Sequence, residues 1–152
     1  MLIEENGSFK VYIKGADSEI FKRLSTTMPQ PYLEKTQLML DQFSIVGLRT
    51  LVFACRVLTE KQFKSVMKLY QDAMISAEKK KLLNQLSDQL DQELILLGCS
   101  AIEDNLQEQV PESIQRFYEA NIKVWMITGD KMTTAKVISL ITGLLSPSDQ
   151  IW

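Results

Sequence analysis

The sequence predicts an α/β protein, mixed in its first hundred residues and alternating strand with helix toward its end. Three observations carry that expectation. Phe9-Lys10-Val11-Tyr12-Ile13-Lys14 alternates apolar and polar side chains, the period of a half-buried strand. Residues 94–102 form a nearly continuous apolar run, far shorter than the roughly 20 residues a membrane helix needs. Ile122-Lys123-Val124-Trp125-Met126-Ile127 leads at once into Thr128-Gly129-Asp130 and a helical pattern over 131–140, the order expected of a parallel sheet.

The elements follow in turn. Gly15 breaks the first strand, and Asp17 or Ser18 caps a short helix reaching Leu24. Residues 25–31, with two prolines and several hydroxyls, read as a loop. Helical spacing over 32–43 puts Leu33, Leu40 and Phe43 on one face; Gly47 ends that region, and residues 50–57 read as a buried strand. Thr59 is an N-cap for a helix to Met74 with Phe63, Val66, Met67 and Tyr70 as its apolar stripe. A second helix covers 77–92, a strand 93–102, and Pro111 suits the first turn of a helix ending at Ala120.

Composition bounds the function. A chain of 152 residues holds one ordinary domain or parts of two. With 45% hydrophobic and 24% charged residues it can bury a core, so disorder is not the expectation. A net charge of -2 argues against a nucleic-acid partner. The basic run Lys79-Lys80-Lys81 reads as a solvated helix face. The first residues, Met1-Leu2-Ile3-Glu4-Glu5, lack the basic-then-apolar layout of a secretory leader. Cys55 and Cys99 sit in apolar runs and are expected as buried, reduced packing residues. With no histidine, the commonest general base and zinc ligand is missing. Chemistry here must use carboxylates, lysines, arginines, hydroxyls and backbone amides.

Four short segments carry such groups. Thr128-Gly129-Asp130, between a strand and a helix, offers a hydroxyl and fresh helix amides for a phosphate oxygen; it reads equally as a plain turn with Asp130 as N-cap. Lys14, before Gly15-Ala16-Asp17, offers a point charge to phosphates or its stem to a nucleobase, or is a surface lysine. Arg49 offers a fork-shaped phosphate contact or a structural ion pair. Ile102-Glu103-Asp104-Asn105 reads as a helix cap, a hinge or a nucleotide contact.

Taken in order, Lys14-Gly15-Ala16-Asp17, Gly47-Leu48-Arg49-Thr50-Leu51, Leu96-Leu97-Gly98 through Leu106-Gln107, Val110-Pro111-Glu112-Ser113-Ile114 and Ala120 through Lys131 resemble the phospholipid-transporting P-type ATPases. The resemblance covers about residues 10–143. Ile102-Glu103-Asp104, where ion pumps have Asp-Pro-Pro, and Gly-Leu-Arg-Thr-Leu point to the flippase branch. It implies a mixed α+β partial nucleotide-binding domain over 1–102, then a partial dehalogenase-like, Rossmann-type phosphorylation domain over 103–152. Lys14, Gly15 and Ala16 match the adenine pocket, Arg49 the arginine reaching the ATP phosphates, and Asp104 the interdomain hinge near the ribose. Thr128 matches the threonine holding the transferred phosphoryl group, with Gly129 and Asp130 close to the nucleotide.

The resemblance further implies ATP and Mg²⁺ as cofactors, phospholipid, a membrane and an accessory glycoprotein subunit as partners, and a place at the cytoplasmic face of a membrane. The family's phosphorylated aspartate stands in an Asp-Lys-Thr-Gly-Thr run, and its Mg²⁺ ligands in Gly-Asp-Gly-x-Asn-Asp; neither run occurs in this sequence. These residues are therefore expected to bind nucleotide rather than complete a transport cycle, since phosphoryl transfer needs nucleophile, metal and positioning groups together. Two other readings stay open: a non-catalytic nucleotide-binding or regulatory remnant, and a soluble dehalogenase-type phosphatase. The second requires an Asp-x-Asp nucleophile that Asp88 and Asp91 do not supply.

Overall fold

The computed structural model describes residues 1–103 and 105–149. The element order is β1 (Leu2–Glu5), β2 (Ser8–Gly15), α1 (Asp17–Phe21), α2 (Leu33–Ile45), β3 (Arg49–Leu58), α3 (Glu60–Ile75), α4 (Lys79–Leu90), β4 (Ile95–Ile102), α5 (Val110–Glu119) and α6 (Met132–Ile141). One four-stranded sheet runs β1-β2-β3-β4, with β2 antiparallel to both β1 and β3. The chain divides into two compact units. The first is Met1–Thr36 with Leu51–Ser100; the second is Gln37–Thr50 with the chain from Ala101 onward.

The first unit is built by local pairing. Asn6 and Gly7, at φ 51° and 74°, form the two-residue turn that sets Glu5 opposite Ser8. Both φ values are positive, which matches the right-handed twist of a hairpin and is tolerated best by Asn-Gly. The β2–β3 register puts Val11 opposite Arg56 and Ile13 opposite Ala54, and places Tyr12 and Lys14 opposite Cys55 and Phe53. Val52 and Ala54 are 0% exposed, and Val11, Leu58, Leu94 and Leu96 are buried with them. The Phe9 and Phe63 rings stack at 3.9 Å and tie β2 to α3.

Side-chain caps close this unit. Thr59 and Gln62 satisfy each other's backbone donors in a capping box that starts α3. Arg56 Nη1 donates to the carbonyls of Gln89 and Gln92, at 2.9 and 3.1 Å, where α4 leaves carbonyls unpaired. Gln30 stitches its loop to the start of β4. Its Nε2 donates to the Ser25 and Leu94 carbonyls, and its Oε1 accepts from Leu96 N at 2.9 Å.

Several boundaries differ from expectation. The cap of α1 is Ala16, whose carbonyl accepts from Glu19 and Ile20; Asp17 uses its Oδ1 on Ser18 N instead. That helix stops at Phe21 rather than Leu24, because Leu24 forms a parallel bridge with Leu94. Strand β4 begins at Ile95 rather than Glu93, whose φ of 55° is incompatible with a strand. The cysteines are half-buried rather than buried, and both thiols are free.

The second unit departs furthest. The expected strand over 122–127 does not form: those residues belong to no helix or strand among the described residues. A parallel strand needs a neighbour reached through a long crossover, and the described residues provide none beside it. Trp125 is 76% and Ile127 98% exposed, and no residue of α5 is buried. What packs here is helical. Leu40 of α2 and Thr134, Ala135, Ser139 and Thr142 around α6 are buried, with the Ser44 and Ser139 hydroxyls donating to carbonyls four residues earlier. Gly47, at φ +81°, lies so close to α6 that a Cβ would stand 2.6 Å from Val137 Cγ1.

Candidate functional site

Lys14 stands at the end of β2, exposed, in register with Phe53. It borders a cleft of about 580 Å³ in the first unit, shared with Met1, Tyr12, Phe53 and Asp91. That volume falls in the range that takes a small organic ligand, and the lining mixes aromatic, aliphatic and charged groups as ligand sites do. Gly15 closes the strand, and a Cβ there would meet Ile20 Cδ1 at 3.4 Å, an ordinary van der Waals contact. Ala16 follows as the exposed cap of α1. Burial pushes the Asp91 carboxyl above the usual carboxylate range, and the Arg23 guanidinium 3.4 Å away pulls the other way.

The second unit brings together Arg49, Thr128 and Asp130. Thr128 Oγ1 accepts from Asp130 N at 3.0 Å and donates to Asp130 Oδ2 at 3.1 Å. Arg49 Nη2 lies 3.7 Å from the same Oδ2. The turn thus holds its own carboxylate under a guanidinium, the ion-pair reading of Arg49, while leaving that side chain 56% exposed. Gly129 has open space around it, and Asp130 is not the cap of α6; Lys131 takes that position without a side-chain cap. A cleft of about 430 Å³ runs from Thr128 and Asp130 along α6 to Lys136 and Ser139. Asp104 lies outside the described residues.

Sequence reasoning missed three of the cleft residues. Tyr12 had a usable signal, since it stands two residues before Lys14 on a period-2 strand. Phe53 and Asp91 had none, because only the β2–β3 register and the end of α4 bring them to Lys14. Among the described residues no three His, Cys, Asp or Glu side chains gather as a metal site.

Comparison with known proteins supplies the lineage. The family model described as "P-type ATPase, cytoplasmic domain N" matches residues 2–109. The chain is 38% identical over 144 residues to Phospholipid-transporting ATPase 10 of Arabidopsis thaliana, covering 93% of this chain and 12% of that protein. It is 40% identical over 144 residues to Probable phospholipid-transporting ATPase 7 of the same plant, with the same coverage of each. It is 38% identical over 142 residues to Phospholipid-transporting ATPase DRS2 of Saccharomyces cerevisiae (strain ATCC 204508 / S288c), covering 93% of this chain and 10% of that protein. The chain thus spans only about an eighth or less of the length of these curated relatives. A model matching well over half of the sequence, on a fold whose cleft sits at Lys14, places the chain in the P-type ATPase family.

Proposed function

We propose that this chain is an ATP-binding part of a phospholipid-translocating P-type ATPase. The observation that carries the reading is Lys14, exposed at a strand end on an aromatic-lined cleft, in a chain of that family. Tyr12 and Phe53 offer faces on which adenine stacks, a contact worth about 1–3 kcal/mol per base. The Lys14 ammonium meets phosphate as a point charge. In the second unit the Thr128 hydroxyl, the Gly129–Asp130 backbone and Arg49 supply polar contacts for a phosphoryl group. Binding there requires Thr128 to exchange its bond with Asp130 for one to the ligand. Asp104 is assigned the ribose side on the resemblance alone.

These residues bind and orient; they do not react. No Asp-Lys-Thr-Gly-Thr nucleophile stands in the sequence, so an aspartyl-phosphate and the lipid movement coupled to it belong to the whole protein. On this reading residues 103–152 are part of a dehalogenase-like phosphorylation domain, and residues 1–102 part of the nucleotide-binding domain. The partners of the whole protein would be phospholipid, its membrane and an accessory glycoprotein subunit.

The test is amide chemical-shift mapping of the chain with adenosine, ATP and inorganic phosphate. Adenosine should perturb Tyr12, Lys14 and Phe53, while phosphate-bearing ligands also perturb Thr128 to Asp130. A folded chain whose β2 and β3 amides ignore adenosine and ATP alike contradicts the proposal.

A further inference from the structure

Helix α2 closes in a Schellman turn: Gly47 N donates to the Ser44 carbonyl at 3.1 Å and Leu48 N to the Phe43 carbonyl at 3.0 Å. Gly47 takes the left-handed position of that turn, at φ +81°. Handedness alone does not demand glycine, since asparagine also closes helices this way. The surroundings do. A Cβ at Gly47 would stand 2.6 Å from Val137 Cγ1 and 3.1 Å from Val137 Cβ, on α6. Carbon atoms in contact rest about 3.5–4.0 Å apart, so any side chain here drives turn and helix apart by roughly 1 Å.

Both sides of this contact lead to the same pair of charges. Arg49 opens β3 two residues after Gly47, within about 7 Å of extended chain. Asp130 stands two residues before Met132, where α6 begins. Arg49 Nη2 and Asp130 Oδ2 are 3.7 Å apart, the long end of an ion pair, and Oδ2 also accepts from the Thr128 hydroxyl. A further roughly 1 Å at the Gly47 contact carries the guanidinium out of reach of that oxygen, or of a ligand oxygen that replaces it.

We propose that Gly47 is a positioning residue for the phosphoryl site: its bare α-carbon lets α6 close on the α2–β3 turn, and that closure sets Arg49 over the Thr128 turn. The inference rests on the reading of Arg49 and Thr128 as phosphate contacts. Gly47 itself touches no ligand and acts through Arg49. The turn explains why the backbone is left-handed, and Val137 explains why no side chain is admitted there.

Titration of the full chain with inorganic tripolyphosphate, followed at the Gly129 amide, tests it; adenosine followed at Lys14 is the control in the other unit. Gly47→Ala should weaken tripolyphosphate binding about tenfold, as should Arg49→Gln, which removes a charged contact, and adenosine binding should not change. The two substitutions together should cost no more than Arg49→Gln alone, the non-additivity of residues that act as one. Adding Val137→Ala, which takes away the Cγ1 methyl, should restore most of what Gly47→Ala loses. If the α6 amides show that Gly47→Ala does not fold, Val137→Ile adds bulk from the other side of the same contact and should give the same loss. The positioning role is overturned, with the phosphate reading intact, if Arg49→Gln weakens binding while the contact variants leave it unchanged. Losses that add to that of Arg49→Gln, no rescue by Val137→Ala, or an equal loss of adenosine binding overturn it too. A folded wild-type chain that ignores tripolyphosphate, or an Arg49→Gln chain that binds it unchanged, overturns the reading and the inference together.

Discussion

The two units meet the same demand, burial of apolar strands, with different success. In the first, β1, β2 and β3 are sequential antiparallel neighbours, and Val52 and Ala54 are 0% exposed. In the second, an equally apolar segment over 122–127 stands between two helices without a pairing strand, and Ile127 is 98% exposed. Composition does not separate them; connectivity does. A hairpin carries its partner within a few residues, and a parallel strand takes its partner from far along a chain. The lesson is that an apolar run is evidence of a strand only when the neighbour it needs is in reach.

The largest effect that sharpens this contrast is in the core. Leu94→Ala in the first unit should cost about 2–5 kcal/mol, the range for emptying a packed leucine site. Trp125→Ser in the second should stay within about 0.5 kcal/mol, as for surface changes. Urea unfolding of both variants measures the difference, and similar costs would erase the distinction.

A smaller loss of about 1–3 kcal/mol is expected for Gly47→Ala, which forces a Cβ against Val137 at a left-handed backbone. Hydrogen exchange should quicken in α6 and leave α3 unchanged; uniform quickening would mean that the units are energetically one. Thr59→Ala removes half of the capping box and should cost about 1 kcal/mol, read from the unfolding midpoint.

The smallest effect is a pH dependence. Burial raises the folded-state value of Asp91 above its ordinary 3.8, so the folded state holds the proton more tightly than the unfolded one. That contribution to stability is full below the ordinary value and is lost as pH rises through the raised one. Asp91→Asn should flatten the stability profile across that window. An unchanged slope would show that Arg23 has cancelled the burial.

Much of the first unit was legible because its signals are local. Period-2 alternation marked β2, and Thr59 as an N-cap marked the start of α3. The strand β1 was missed although Asn6-Gly7 announced a hairpin, a signal as strong as any in the chain. The parallel strand was over-read, since strand–turn–helix order says nothing about what pairs with the strand. The place of Lys14 at a strand end was legible from the alternation and the glycine that frame it. Its cleft partners Phe53 and Asp91 come from β3 and the end of α4, and such contacts exist only once the sheet is assembled. An ion pair was one of two roles expected of Arg49; it was not foreseen for Asp130, and the fold supplies the proximity that links them.

The account turns on whether the first unit holds nucleotide through Lys14. Isothermal titration of ATP into the chain, and into Lys14→Ala shown by circular dichroism to be folded, measures this directly. The account predicts measurable binding that weakens about tenfold or more when the ammonium is removed, as for loss of a charge-assisted contact. Equal affinity in the two proteins, or no binding by the folded chain, would contradict it.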